Sequence, residues 1–542
     1  MNRPIVNINL VLLLFILPAL GTGVHAEQKP EQIVLTWQGD TKTSMTITWR
    51  TDEPNALTYG MMKIDEAAKK YGEGLRFTDV RTKLIEEGWE GAGYDSPKEA
   101  FLALAVGVKN YSNRDSRFAY QFLLNNWDHY TENVGFEKEL LPDRNEWNRV
   151  YGGVSHNRLY YTEGDDLLTH EHSTPANGVS TAEAETYTFA ETTAWLHTVE
   201  LTELKPGTTY SVLIKSDNSN AEPFTFRTAP AERKAFSFIA GADTQSETTE
   251  RKEMTSHAAT LDPEFILISG DLVMRGMAEN EWDSWFNEWH DLMITDEGRR
   301  VPVLPALGNH DVRGWIMGDF ETDAAFYANR FNLPYPHRYY SLEYGDGFVL
   351  LTLDSGHTSA FNEDLNWFED TGYYEGGPHK VRSSHDGAQK QWLETTLQNY
   401  SDRPWIIAHY HINAFATSQH YWEKPRYGRP LMHEHWIPLF EKYGVDLVHE
   451  GHGHRMKRTH PVKNGEIHED GVTYIGDGGW GTHMGIPDDM WFVADKGSDH
   501  HFWKITLDEG WNQLTGRPVK WIESNAVDGQ KFTITNRMYQ PN

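Results

Sequence analysis

Apolar and polar residues alternate along Gln32–Gln38 (QIVLTWQ) and again along Ser44–Arg50 (SMTITWR), with Gly39-Asp40 between them. Period-two alternation on both sides of a turn predicts two antiparallel strands with one buried face. The same texture returns at His197–Asp217 and Phe224–Pro230, so these pieces together predict a small N-terminal β-sandwich. Between them, roughly residues 61–183 read as an insertion, with a helical stretch at PKEAFLALAVGVKNY and loops rich in Trp and Tyr.

From Ala235 the pattern changes. Short apolar runs recur at AFSFIAG, EFILISG, RVPVLPALG, FVLLTLDS, RPWIIAHYH, VDLVHEG and VTYIGDGG, with amphipathic helical patterns between several of them. Continuous apolar runs predict central strands buried on both faces, hence a layered α/β architecture. Trp282, Trp285, Phe286, Trp289 and Leu292 fall at helical spacing. That stripe predicts a helix packed on a sheet in preference to an aromatic binding face. The fold class expected is therefore multidomain α+β/α/β, with an N-terminal β-sandwich and a C-terminal α/β half.

The first residues change the picture at the N-terminus. Arg3 is the one charge before the apolar stretch Val11–Leu20, and Val24-His25-Ala26 offers a small-residue cleavage site. This pattern reads as a secretory signal ending at residue 26, because the apolar run is short for a bilayer. No later segment is apolar enough to cross a membrane. The mature protein is thus expected to be soluble and exported, secreted or periplasmic, with no membrane partner.

The chain has 542 residues and no cysteine. Its length predicts at least two domains, and its cores must carry stability without disulfides. The 79 acidic residues against 49 basic ones give a net charge of −30, which disfavours a nucleic-acid phosphate track as a large binding surface. An acidic protein that handles phosphate needs a local positive charge, and metal ions supply one. Nothing in these patterns sets the oligomeric state.

Polar residues cluster just after five of the apolar runs. They are Ala242-Asp243-Thr244-Gln245, Gly270-Asp271-Leu272, Gly308-Asn309-His310-Asp311, Ala408-His409-Tyr410-His411 and Gly451-His452-Gly453-His454. In open α/β sheets, ligand-binding groups collect at strand ends, where a rigid strand positions a loop. One such piece is commonly a turn former or a solvated group; five in this order are hard to reach by chance. Carboxylate, amide oxygen and neutral imidazole suit zinc, manganese or iron, and no soft thiolate is available.

The ordered set Asp, GD, GNHD, His, GHGH resembles the calcineurin-like metallophosphoesterase superfamily and, within it, the purple acid phosphatases. LTWQGDTKTSMTITWRT and HTVELTELKPGTTY look like that family's fibronectin type III-like N-terminal domain. HRYYSLEYGDGFVLLTLDS, PLFEKYGVDLVHEGHGH and IGDGGW look like its catalytic domain. The resemblance covers most of the mature chain. It implies an N-terminal domain over 27–230 and a four-layer αββα metallophosphoesterase domain over 231–542.

Carried over by position, the resemblance assigns Asp243 and His454 to one metal, and Asn309, His411 and His452 to a second, with Asp271 bridging both. The family's ligand lies six residues after the strand tryptophan, here Trp405, which selects His411. By strand alternation His409 shares the face of His411, as a supporting or substrate-contacting group. Two cations about 3.5–4 Å apart require a shared anion, which Asp271 and a hydroxide provide, and each brings bound water toward a pKa of roughly 7.

His310 is the candidate for substrate contact or general acid, with Asp311 placed to orient its ring and raise its pKa. Gln419-His420-Tyr421-Trp422-Glu423 resembles a segment of the plant enzymes that brings another histidine to phosphate. His420 is therefore a second catalytic candidate, balanced by an equal reading as a surface loop histidine. Two positions depart from the family. Met274 stands where the purple enzymes have the tyrosine whose phenolate binds ferric iron, and Gln245 stands where they have glycine. Gln245 offers an amide oxygen to the first metal, or else only hydrogen-bonds within its loop.

The function these readings imply is an exported, two-metal phosphomonoesterase, acid phosphatase-like, using a metal-bound hydroxide on a small phosphorylated substrate. The metals would be two di- or trivalent ions drawn from iron, zinc and manganese. One alternative is a phosphodiesterase on the same core, with pocket width set by loops such as Glu363–Val381. The other is a non-catalytic exported protein that holds a polysaccharide or surface partner.

Overall fold

The computed structural model describes residues 29–52, 157–165 and 178–538, apart from 188, 190–191, 193, 217–218, 247, 314–319, 356–359, 362–380, 383–387 and 419–428. The N-terminal stretch read as a secretory signal, the stretch PKEAFLALAVGVKNY and His420 lie outside the described residues.

Both alternating N-terminal runs are strands. Glu31–Thr36 and Met45–Asp52 pair antiparallel, with Leu35 opposite Ile47. Ala194–Leu201 pairs with the free edge of Met45–Asp52, and Glu185–Tyr187 lies beyond it. A second antiparallel sheet is built on Thr209–Ser216, flanked by Asn157–Glu163 and Phe224–Arg227. Asn157–Glu163 and Ser180–Glu183 fall within the stretch read as an insertion, yet they pair with each other inside this sheet. Their short apolar content hid them: Leu159 faces the main core, whereas Tyr160 packs with Leu213 on the opposite face.

All seven apolar runs after Ala235 are strands, divided between two seven-stranded mixed sheets. The first sheet begins Val303–Ala306, Ile266–Ser269, Phe236–Gly241, three parallel strands, and continues antiparallel through His500–Leu507 and Gln513–Ile522. The second runs Tyr340–Tyr344, Phe348–Thr352, Trp405–Tyr410, Leu447–Glu450, Thr473–Gly476, Met456–Thr459, Val493–Gly497, with its second to fifth strands parallel.

Alternate residues of the second sheet divide between two cores. Phe348, Leu350, Trp405 and Ile407 share a core with Phe238 and Ile239 of the first sheet. Val349, Leu351, Ile406 and Ala408 instead pack with Leu393 and Leu397 of the helix Ala388–Asn399 and Phe440 of the helix Ile437–Tyr443. Burial on both faces is why these strands read as continuous apolar runs. The helix Glu279–Leu292 buries Trp282, Trp285, Phe286 and Trp289 in the first core, so its aromatic stripe is packing. Among the described residues, no helix is long and apolar enough to cross a membrane.

Candidate metal centre

The expected ligands all lie just past the carboxyl ends of parallel strands, and the two sheets contribute equally. Asp243, Asp271 and Asn309 follow Phe236–Gly241, Ile266–Ser269 and Val303–Ala306. His411 follows Trp405–Tyr410, and His452 and His454 follow Leu447–Glu450.

What converges there is a set of acceptors. His411 Nδ1 is 2.8 Å from the Ser269 carbonyl, so it carries the proton and Nε2 of the neutral ring is a lone-pair nitrogen. That nitrogen faces Asn309 Oδ1 at 3.0 Å, Asp271 Oδ2 at 3.2 Å and His452 Nδ1 at 3.3 Å. On the other side, Asp243 Oδ1 is buried without a hydrogen bond, 3.1 Å from His454 Nε2. Ligand atoms of Asp271, His411 and His452 lie within 4.8 Å of one another, and so do those of Asp243, Asp271 and His454. Gathering lone pairs away from water is costly unless a cation sits among them. The residues therefore fit two metal ions sharing Asp271. A proton competes with a metal ion for that same Nε2: burial lowers the His411 pKa, but the Asp271 carboxylate outweighs it and pushes the value up to about 10, so the neutral, lone-pair form is the one a metal would select.

Gln245 joins this set. With its amide oriented to satisfy its neighbours, Nε2 donates to the carbonyls of Asp243 and Asp271 at 3.2 Å. The amide oxygen is then turned toward His454.

The backbone is strained at the same places. Asp243, Asp271, His452 and His454 all have positive φ, between 53° and 71°. Such conformations cost of order 1–3 kcal/mol each and persist where the surroundings over-determine them. Tight loops also explain the glycines of the motifs. A Cβ on Gly308 would lie 2.0 Å from the Asp271 nitrogen, and one on Gly478 would lie 1.9 Å from Asp243 Oδ2.

His310 is held differently from the expectation. Its backbone N–H donates to Asp271 Oδ1 at 2.8 Å, and its Nδ1 lies 2.8 Å from the Met274 carbonyl, to which it donates. The ring is partly exposed, with Nε2 on its far edge. Asp311 does not orient it. The buried Asp311 carboxylate accepts from the backbone N–H of Gly308, Asp271, Leu272 and Val273, at 2.7–3.3 Å. It ties the GNHD turn to the loop that carries Asp271, so the carbonyl of Met274 takes the orienting role.

His409 lies beneath the centre, not at its opening. It is buried, with Nε2 2.7 Å from Thr352 Oγ1 and Nδ1 3.3 Å from Ser269 Oγ. Burial lowers its pKa to about 3, which keeps the ring neutral. Ser269 links the two histidines, its hydroxyl facing His409 and its carbonyl accepting from His411, an arrangement that fits the supporting role for His409.

Sequence reading missed a buried charge cluster under the His452–His454 loop. Lys457 Nζ is 2.5 Å from Glu450 Oε2 and 3.8 Å from Asp477 Oδ2, all three side chains being buried. Asp477 Oδ1 accepts from Gly453 N at 2.7 Å and from Asn413 Nδ2 at 2.6 Å. Glu450 Oε1 accepts from Ala414 N and Tyr410 Oη. The cluster thus joins the loop after His411 to the loop between the last two histidines. Burial pushes the Asp477 carboxyl up while Lys457 opposes it. Lys457→Met would leave two buried carboxylates without their cation, and is expected to destabilise the protein by about 3–5 kcal/mol. Denaturant unfolding measures this, and an unchanged midpoint would show that other donors suffice.

Comparison with known proteins agrees with this geometry. Residues 238–456 match the family described as calcineurin-like phosphoesterase. An uncharacterized protein of Mycobacterium tuberculosis is 28% identical over 316 residues, 54% of this chain and 56% of that protein. Purple acid phosphatase 15 of Arabidopsis thaliana is 25% identical over 354 residues, 59% of this chain and 61% of the relative. The chain therefore spans less than two thirds of the length of either. Among solved structures, the purple acid phosphatase PPD1 from yellow lupin seeds shares the fold, with a TM-score of 0.59 over 94% of this chain and 74% of its own, at 15% identity. Over residues 238–456 this chain is thus similar to the calcineurin-like phosphoesterases, and over a larger share of its length it is similar to the purple acid phosphatases.

Proposed function

We propose that this protein is an exported, two-metal phosphomonoesterase, acid phosphatase-like, acting on small phosphorylated substrates. The reading is carried by one observation: carboxylate, amide and imidazole groups from two sheets converge around Asp271, with no lysine or arginine in contact with them among the described residues. Two bound metals would polarise the phosphoryl group and activate water as the nucleophile. The chain's own residues do the rest. Asp271 would supply negative charge to both ions, and Asn309, His411 and His452 would hold one while Asp243, Gln245 and His454 would hold the other. His310, fixed by the Met274 carbonyl, presents Nε2 to the ester oxygen that departs. We also read residues 27–230 as a fibronectin type III-like sandwich with an insertion, and 231–542 as the four-layer αββα catalytic domain.

The test is to strip the protein with chelator, restore iron, zinc or manganese, and follow a nitrophenyl monoester beside the bis-nitrophenyl diester. Faster monoester turnover is expected. Preferential diester turnover would make it a phosphodiesterase, and no turnover with any metal would leave only a binding role.

A colour prediction follows from Met274, whose carbonyl holds His310 and whose side chain is exposed. Without a phenolate at this position, the iron-loaded protein is expected to show no strong visible charge-transfer band. A purple preparation would place another tyrosine on iron and overturn the correspondence at Met274.

A further inference from the structure

The stretch following IGDGGW carries a histidine that plays no part in the site as described above. Its near end is tied to the loop of Asp243. Trp480 N donates to the Ala242 carbonyl at 3.1 Å, and Gly481 N to the Asp243 carbonyl at 3.0 Å. The wholly buried Trp480 anchors this end, its Nε1 donating to Thr255 Oγ1 at 3.1 Å. The far end is tied to His454, whose carbonyl accepts from Gly485 N at 2.7 Å, and Arg455 Nε donates to the Ile486 carbonyl at 3.0 Å.

Five residues are thus clamped at both ends to the main chain of two residues assigned to one metal. Between the clamps Thr482 is buried and His483 is turned outward, exposed to solvent. Its ring centroid is 5.3 Å from that of His454, with the planes at 86°. Among the described residues His483 makes no hydrogen bond, so its ring nitrogens are not spent on the protein. A short loop fixed at both ends positions a side chain at little entropic cost on binding.

We propose that His483 is a substrate-contacting residue, hydrogen-bonding a phosphoryl oxygen from the Asp243–His454 side, while His310 serves the Asn309 side. The proposal rests on the phosphoesterase reading, and it adds a second imidazole to that site. A phosphoryl group has more oxygens than two cations engage, and each remaining one needs a donor when water is displaced.

The experiment uses inorganic phosphate as the probe, titrated calorimetrically into full-length, metal-loaded protein, with metals counted in each preparation. His483→Ala is expected to weaken phosphate binding roughly tenfold or more, as losing a hydrogen bond to a charged group does. Metal content should stay at the wild-type level, and His483→Gln should recover part of the affinity through its amide donor. Binding within twofold of wild type in His483→Ala would overturn the proposal. Loss of metal in either variant would overturn it too, making His483 a support for His454. A wild-type protein that binds phosphate but turns over no ester would sink the phosphoesterase reading alone, leaving His483 judged by binding.

Discussion

Replacing Asp271 with alanine is expected to abolish hydrolysis and to empty both metal positions. The carboxylate sits between the two groups of ligands: Oδ2 faces His411 Nε2 at 3.2 Å, and Asp271 completes both sets of converging ligand atoms. Without its charge, two cations at close range would repel with no shared anion between them. The loss should exceed the about 10–100-fold that follows removal of a mere supporting partner. A control is needed because Asp271 has φ +54°, where alanine is strained whatever the metal does. Asp271→Gly relieves that strain and still lacks the carboxylate, so it should fold better than Asp271→Ala while binding no more metal. Mass spectrometry of the metals in both variants decides the matter. Two metals retained in either variant would remove Asp271 from the bridging role.

The strands around this residue were legible because their chemistry is local. A strand buried on both faces has no polar face to interrupt it, so Ile266–Ser269 and Trp405–Tyr410 announce themselves as apolar runs. The convergence of the candidate ligands was legible because each lies in the loop that follows such a run. The charge cluster was not, because it depends on sheet order. Glu450, Lys457 and Asp477 meet only because Thr473–Gly476 lies between Leu447–Glu450 and Met456–Thr459, an arrangement out of chain sequence. Asp311 was misjudged for the opposite reason, since adjacency to His310 suggested contact between their side chains. In the tight turn the unpaired backbone N–H groups had the stronger claim on that carboxylate. His483 stands in a loop with no periodic pattern, and only the clamps at Gly481 and Gly485 show where it points.

Strain and support belong together at this centre. The residues at positive φ, Asp243, Asp271, His452 and His454, are those whose side chains must turn inward from short loops. Each is held by main-chain or buried contacts: His452 N donates to Asp243 Oδ2 at 2.9 Å, Asp271 N to Asp311 Oδ2 at 2.9 Å, and Gly453 N to Asp477. The energy stored in the loops is offset by this network and, on the proposed reading, by metal binding.

His310→Ala separates chemistry from metal binding. The ring is anchored by its Nδ1 on the Met274 carbonyl, and it is the main-chain nitrogen of His310, not its ring, that contacts Asp271. Truncating the side chain should therefore leave both metals in place and slow turnover by about 10²–10⁴-fold, the range for a positioned general acid. Because Nδ1 is committed to the carbonyl, Nε2 delivers a proton only from the imidazolium, and that proton matters most when the leaving oxygen is basic. An alkyl phosphate should lose most, whereas a nitrophenyl phosphate, whose phenolate departs without protonation, should lose less. The measurement is kcat for one ester of each kind, with metals counted in the same preparation. His310→Gln keeps a hydrogen-bond donor without an acid, so it should restore binding but not the alkyl phosphate rate. Equal slowing of both esters would identify His310 as an electrostatic clamp on the phosphoryl group. Loss of metal would make it a ligand or a ligand's support, against the geometry of its ring.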